Sequence, residues 1–303
     1  MKIQILDEIK NALANNQAVV SLESTIISHG MPYPQNIAMA KECERIIREQ
    51  NAIPATIAII KGVIKVGLSN EDLEYLATAK DVYKTSTRDL GYVLANKLTG
   101  ATTVATTSLI SQHVGIKVFA TGGIGGVHRN AQETFDISND LEVIAKTPIL
   151  VVCAGPKAIL DLPLTLEYLE TKGVEVLGYQ TPKLPAFYSA TSDLDVTYRI
   201  NSVTEVADLM HAKWNLDQSG IILANPIPKA YSIPNEVINQ YINRALQKAV
   251  DLKITGKDTT PFLLKEITEQ TNSQSLEANI QLVYNNAKVA ALVAVAYTKK
   301  SEK

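Results

Sequence analysis

Glu23 follows the apolar run AVVSL and opens the segment ESTIISHGMPYPQN, and Lys157 closes TPILVVCAGPK. In an α/β sheet the carboxyl ends of the strands border the crevice where ligands bind, so both side chains are candidates for one site. A carboxyl group there acts as a general acid once partial burial raises its pKa. A lysine amine there attacks carbonyl or aldehydic carbon and forms a Schiff base. An amine attacks only when unprotonated, and lysine ordinarily titrates near ~10.4, so such a site has to favour the neutral form. Each residue also has a plainer reading, Glu23 as a capping or loop-bracing carboxylate and Lys157 as a solvated cation at a helix start.

Between them lies ATGGIGGVHRNAQETFDISND (120–140), in which glycines let backbone amides approach an anion closely. It is not the dinucleotide fingerprint, because His128 stands where the last glycine belongs, and GxxxxGK[ST] occurs nowhere in the chain. Asp136, Ser138 and Asp140 alternate oxygen-bearing side chains, a pattern that suits a hard divalent ion and equally well a helix cap. Lys84, Arg88 and Asp89, in YKTSTRDL, could bind phosphate or form a solvated charged face. Of the four histidines, His29 and His128 sit in polar, glycine-flanked loops, whereas His113 and His211 fall in helical stretches, and no pair has zinc-protease spacing.

The elements that must position these groups read as an α/β chain. Residues 3–14 have helical spacing, 17–25 form a short buried strand, 36–51 a helix, and 56–68 a hairpin turning at Lys61-Gly62. A helix spans 70–79 with an acidic first turn. Strands are expected at 116–121, 147–155, 174–179, 195–200 and 220–225, with a helix at 158–171 and a mainly helical end after Pro228, including a long helix from about 275 to 297. Short apolar strands alternating with helices predict a sheet covered on both faces, in one domain over 1–303 with helical decoration at both ends.

Composition bounds the rest. The 303 residues carry 31 acidic and 29 basic side chains, a formal charge of −2, with 46% hydrophobic residues. That is an ordinary globular balance with no global attraction for nucleic acid. Cys43 and Cys153 lie far apart in apolar or helical contexts, which predicts two buried free thiols rather than a disulfide or zinc framework. The N-terminus has charges throughout, unlike a signal peptide, and no uncharged apolar run is long enough to span a bilayer, so a cytoplasmic protein without membrane partners is expected.

Taken together and in order, ESTIISHGMPYPQN, PATIAIIKGVIKVGL, GATTVATT, FATGGIGGVHR, ETFDIS, VVCAGPK, TLEYLET, LANPIP, TPFLL and NNAKVAALVA are specific. The chain closely resembles the pseudouridine-5′-phosphate glycosidase family, also called indigoidine synthase A-like, from about residue 17 to 298. The resemblance implies a three-layer α/β/α sandwich around a central mixed sheet, a homotrimer, and one Mn²⁺ per subunit, with Mg²⁺ or another divalent ion as alternatives. It implies reversible cleavage of the C–C glycosidic bond of pseudouridine 5′-phosphate to uracil and ribose 5-phosphate. On the matching positions Glu23 would be the proton donor, Lys157 the covalent nucleophile and Asp136 the metal ligand. Lys84, Val104, Ser138, Asn139 and Asp140 would contact substrate, and His128 and Asn279 join them by neighbourhood; for the phosphate, Lys84, Arg88, Arg129 and the 122–126 glycines are the candidates. Two other readings compete: an aldolase-like or N-glycosidic enzyme acting on a sugar phosphate, and a non-catalytic sugar-phosphate binding protein.

Overall fold

The computed structural model describes residues 2–216, 218–254, 256 and 259–300. Its centre is a parallel array of seven strands. In spatial order these are β3 (Ile53–Ile60), β2 (Val19–Leu22), β7 (Val118–Ala120), β8 (Leu150–Cys153), β11 (Ile221–Ala224), β9 (Glu175–Tyr179) and β10 (Tyr198–Ile200). The short apolar runs are buried throughout because both faces are covered. Side chains alternate between the faces: Val118, Ala120, Leu150 and Val152 enter one core, and Phe119, Val151 and Cys153 the other. The first face carries α2 (Gln35–Glu49), α9 (Val203–Trp214) and α12 (Gln274–Lys300), with α10 (Asn235–Asp251) and α11 (Thr259–Gln270) packed on the same core. The second carries α1 (Asp7–Ala14), α5 (Val104–Val114), α7 (Asn139–Lys146) and α8 (Leu162–Thr171), with the single turn α6 (Ala131–Thr134) on the same side. The result is the expected three-layer α/β/α sandwich. Both cysteines are buried free thiols, as expected.

β3 makes the sheet mixed. Its first half pairs parallel with β2, matching Thr56 to Leu22. Its second half pairs antiparallel with β4 (Val63–Val66) on one side and β6 (Gly100–Thr102) on the other. The β3–β4 turn is at Lys61-Gly62, with φ of 50° and 74°, the left-handed pair that a tight hairpin demands. β1 (Ile3–Ile5) extends this smaller sheet beyond β4, and β5 (Tyr83–Thr85) extends it beyond β6. β5 leads into α4 (Thr87–Ala95), and α3 (Asn70–Thr78) begins with a Ser69–Asp72 capping box.

Three expectations need correction. Residues 3–5 are a strand, because β4 offers them a parallel edge and three residues carry too little periodicity to reveal it. The helix expected from 158 starts at Leu162, capped by Asp161, whose carboxylate accepts from the Leu164 amide. Pro163 fits that first turn and could not sit deeper in a helix, while residues 158–161 fold back along the glycine segment through Asp161 N–H to Val127 carbonyl at 2.9 Å. β5 was not anticipated, since YKT is a strand only through its parallel pairing with β6. Among the described residues no helix is long and apolar enough to cross a membrane.

Ile57 is fully buried at the residue where β3 changes its pairing, and its carbonyl accepts the Thr102 hydroxyl at 2.7 Å. Truncation there removes packing the sheet cannot refill, so Ile57→Ala is expected to cost about 2–5 kcal/mol in urea denaturation, with an unchanged m-value.

Candidate active site

The chain leaves β2 toward β3 on one side and leaves β7 toward β8 on the other. The carboxyl ends of β2 and β7 are therefore a topological switch point, the place where an open α/β sheet leaves a crevice. Glu23 is the first residue past β2, and Thr121 and Gly122 are the first past β7. Thr121 Oγ1 donates to Glu23 Oε1 at 2.7 Å across that gap. Lys157 follows β8, the next strand over.

The backbone past β7 and β8 stays zipped beyond the strands. Ala154 N–H donates to Gly122 carbonyl at 2.9 Å, Ile124 N–H to Gly155 carbonyl at 3.3 Å, and Lys157 N–H to Ile124 carbonyl at 3.0 Å. Gly155 permits this turn: its φ is 84°, and a Cβ there would sit 2.3 Å from the Pro185 carbonyl oxygen. Lys157 is in this way held by backbone on both sides.

A cavity of about 330 Å³ opens at this point. All ten residues singled out above border it: Glu23, Lys84, Val104, His128, Asp136, Ser138, Asn139, Asp140, Lys157 and Asn279. His29, Arg88 and Asp89 border it too, but Arg129 does not. Its guanidinium instead donates to Asn243 Oδ1 of α10 at 2.9 Å, which removes it as a phosphate candidate. Asp89 closes a capping box with Ser86 at the start of α4, and its Oδ1 lies 3.7 Å from Arg88 Nε. His113 and His211 lie in α5 and α9, as expected.

The structure redistributes the work within the glycine segment. Asp140 is buried, and its two oxygens accept from Ala105 N–H at 2.8 Å and Gly125 N–H at 2.9 Å. One carboxylate thus ties the glycine loop to the first turn of α5, whose dipole favours a negative charge there. The Gly125 amide, read from the sequence as an anion donor, is spent on Asp140. A Cβ on Gly125 would meet Ser138 Oγ at 2.1 Å, and one on Gly123 would meet the Phe187 ring at 2.6 Å, so these glycines admit close packing by the protein's own side chains. Ser138 caps α7 and accepts the Asp140 amide at 3.2 Å, while Asn139 Nδ2 donates to Thr87 Oγ1 at 2.5 Å.

Charge inside the cavity is unevenly matched. Burial pushes the Glu23 carboxyl above its ordinary value, against the opposing pull of Lys157 and the Thr121 hydroxyl. Burial holds the His128 imidazole below its ordinary value. The charges of Lys157 and Lys84 act in the same direction, against Asp136, whose Oδ2 lies 3.9 Å from His128 Nδ1. Asp136 is half exposed at the rim. With Asp140 engaged, Asp136 is the carboxylate there with room to bind a metal, and no cluster of three metal-ligating side chains occurs among the described residues. That donor set fits a hard divalent ion that keeps most of its water, and does not fit a zinc-type cage.

Part of the wall is apolar, Ile26, Phe187, Pro261 and Leu264, while Asn279 Oδ1 lies against Gly122, 3.3 Å from where a Cβ there would sit. Asn279 is 6% exposed, and its buried Oδ1 has no hydrogen-bond partner among the described residues. Sequence reasoning missed this wall. Thr260, Pro261 and Leu264 belong to the TPFLL motif noted above, but an apolar residue on a helix has no signal separating a cavity wall from a core. It also missed Thr121, whose role depends on a neighbour 98 positions away.

Comparison with known proteins agrees over nearly the whole length. Residues 8–296 match the family described as indigoidine synthase A like protein. The chain is 61% identical to a pseudouridine-5′-phosphate glycosidase of Mycoplasmopsis agalactiae, over 99% of this chain and all of that one. It is 57% identical to one of Petrotoga mobilis, over 96% of each. Among solved structures, the prealnumycin C-glycosynthase AlnA in complex with ribulose 5-phosphate superposes with a TM-score of 0.92 at 36% identity, covering 100% of this chain and 99% of that one. An indigoidine synthase A-like protein of Thermotoga maritima superposes at 0.90 with 33% identity, covering 98% and 97%.

Replacing Asp140 by Asn puts an NH₂ group against one of the two amides it serves. Asp140→Asn is therefore expected to destabilise the fold by about 1–3 kcal/mol. Hydrogen exchange should accelerate more at Ala105 or Gly125, where a hydrogen bond is lost, than at the strand amides of β8, which follow the global loss alone.

Proposed function

Since the chain belongs to the indigoidine synthase A-like protein family and is an enzyme of the glycosidase type, we propose that it cleaves pseudouridine 5′-phosphate with water to uracil and ribose 5-phosphate, reversibly, through an imine on Lys157. The observation that carries this reading is the pairing of a half-buried acid, Glu23, with a lysine whose backbone is fixed, Lys157, on the wall of one cavity.

A C–C glycosidic bond lacks the nitrogen leaving group that makes ordinary nucleosides labile, so opening the ribose is the easier route. Glu23 protonates the ring oxygen as the C1′–O bond breaks, and Lys157 Nζ bonds to C1′. The nitrogen sheds its proton to the Glu23 carboxylate. Its lone pair then forms the C1′=N bond as the bond from C1′ to uracil C5 breaks, C5 takes the proton from Glu23, and the proton freed on hydrolysis of the iminium restores the acid. Water adds to the imine, releasing ribose 5-phosphate and the free amine. The two walls suit the two halves of this substrate. Lys84 and the first turn of α5 at Val104 would hold phosphate, with Ser138 and Asn139 toward the sugar. The apolar wall would hold the base, with Asn279 Oδ1 accepting from a ring N–H. Asp136 would hold a divalent ion, Mn²⁺ or Mg²⁺, whose charge helps neutralise a bound phosphate. A homotrimer is proposed from the family resemblance, and sedimentation of the purified chain checks it.

The test is uracil release from pseudouridine 5′-phosphate with Mn²⁺, followed by borohydride reduction and mass spectrometry. A ribose phosphate adduct on Lys157 is expected, together with loss of turnover in Lys157→Ala. Normal kcat in that variant would sink the imine route, and faster turnover of uridine 5′-phosphate would point to N-glycosidic chemistry.

Glu23 must be protonated to act, and burial raises its pKa. Activity should therefore fall as pH rises through that raised value, with the alkaline limb absent from the residual rate of Glu23→Gln. Linkage has the same sign. A carboxyl with a raised folded pKa stabilises the fold only while protonated, and the stability it contributes is lost as pH rises. Glu23→Gln should melt above the wild type at pH ~8 and level with it at pH ~4, below both carboxyl values.

A further inference from the structure

A buried acid serves as a proton donor only if the proton sits on the oxygen that faces the substrate. Asn286 lies on α12, two helical turns past Asn279 and on the same face. It is fully buried. Its Nδ2 donates to the Thr121 carbonyl at 2.8 Å and to the Gly122 carbonyl at 3.4 Å, and its Oδ1 accepts from Asn225 Nδ2 at 3.0 Å. A flipped amide would face oxygen to two carbonyls and nitrogen to nitrogen, so the partners dictate its orientation. Asn225 is the first residue past β11, and its backbone N–H donates to the Cys153 carbonyl at 2.8 Å. This side-chain pair therefore binds together the ends of β7, β8 and β11. Thr121 is left with its backbone clamped, 2% of its surface exposed, and its hydroxyl donating to Glu23 Oε1.

We propose that Asn286 is a positioning residue for the acid: by fixing Thr121 it commits Oε1 of Glu23 to accepting the Thr121 hydroxyl, so that Oε2 carries and delivers the catalytic proton. This rests on the reading of Glu23 as proton donor. A proton on Oε1 would meet the Thr121 hydrogen head-on unless that buried hydroxyl turned away and found another acceptor. With Oε1 occupied, the acid has one protonated form instead of two. The carboxylate left after proton transfer keeps the Thr121 bond, which favours the charged product of the step.

The experiment joins infrared difference spectroscopy to kinetics. The C=O stretch of protonated Glu23 is assigned by its loss in Glu23→Gln. Thr121→Val, nearly isosteric, removes the donor to the carbonyl oxygen, and the band should move to higher wavenumber. The titration of Glu23 should move up by roughly one unit. Thr121→Ser should keep both in place. Asn286→Ala, or the shape-conserving Asn286→Asp if the alanine variant does not fold, should move the band in the same direction without touching Glu23. In Thr121→Val and the Asn286 variant kcat should fall by about tenfold to a hundredfold with KM little changed. The double variant should lose no more than the worse single one, because both act along one path. An unmoved band in folded Thr121→Val or in the folded Asn286 variant overturns the relay, whatever the activity. Independent, multiplying losses overturn it as well. A moved band in an enzyme whose Glu23→Gln form still turns over at the wild-type rate would instead remove Glu23 as the acid, and the relay's catalytic purpose with it.

Discussion

Two neighbouring parallel strands whose chains depart in opposite directions cannot have their ends covered by their own connections. That constraint, met between β2 and β7, organises the molecule around the site. It brings the first residue past each strand to the same gap, which is why Glu23 and Thr121, far apart in sequence, share a hydrogen bond. The rest of the architecture serves that opening. The layers of helices bury the strands, the extended β7–β8 ladder carries Lys157 in alongside Glu23, and α12 stitches the strand ends from below.

The second organising interaction is the buried carboxylate of Asp140. Glycine-rich segments near strand ends suggest amides aimed at a ligand, and here one of those amides is satisfied internally. The loop's conformation follows from that commitment. Ser138 and Asp140 fill the space above Gly125, and the segment returns to the sheet with Asp136 at the rim and His128 inside. Within this loop, what remains for a ligand is chiefly side chains, held in place by a backbone whose Gly125 amide is already paired.

Much of this was legible in the sequence, and the reasons are local. Buried parallel strands such as Leu150–Cys153 are unmistakable apolar runs, and the Lys61-Gly62 hairpin and the Ser69 helix start carry their own turn and cap chemistry. Glu23 and Lys157 could be singled out because a strand end is visible as the point where an apolar run stops. What was not legible depends on partners distant in the chain. Tyr83–Thr85 is a strand only because Gly100–Thr102 lies beside it. Asp140 could be read as a ligand contact, since nothing local shows that Ala105 and Gly125 claim its oxygens. Arg129 looked like a phosphate cation until α10 supplied Asn243. The apolar wall from α11 is indistinguishable in sequence from ordinary core.

β3 has a consequence of its own. Its parallel half registers Thr56 against Leu22, the residue before Glu23, and its antiparallel half registers Ala58 against Ala101, which in turn registers against Lys84. Two residues along one strand therefore set the offset between Leu22 and Lys84, a span of about 7 Å along the strand. The two sub-sheets meet at this strand as the jaws of a caliper meet at its beam. A one-residue slip in either half of β3 would change that offset and carry the two sub-sheets' side chains out of step, so the pairing of this one strand holds the two sides of the cavity in register.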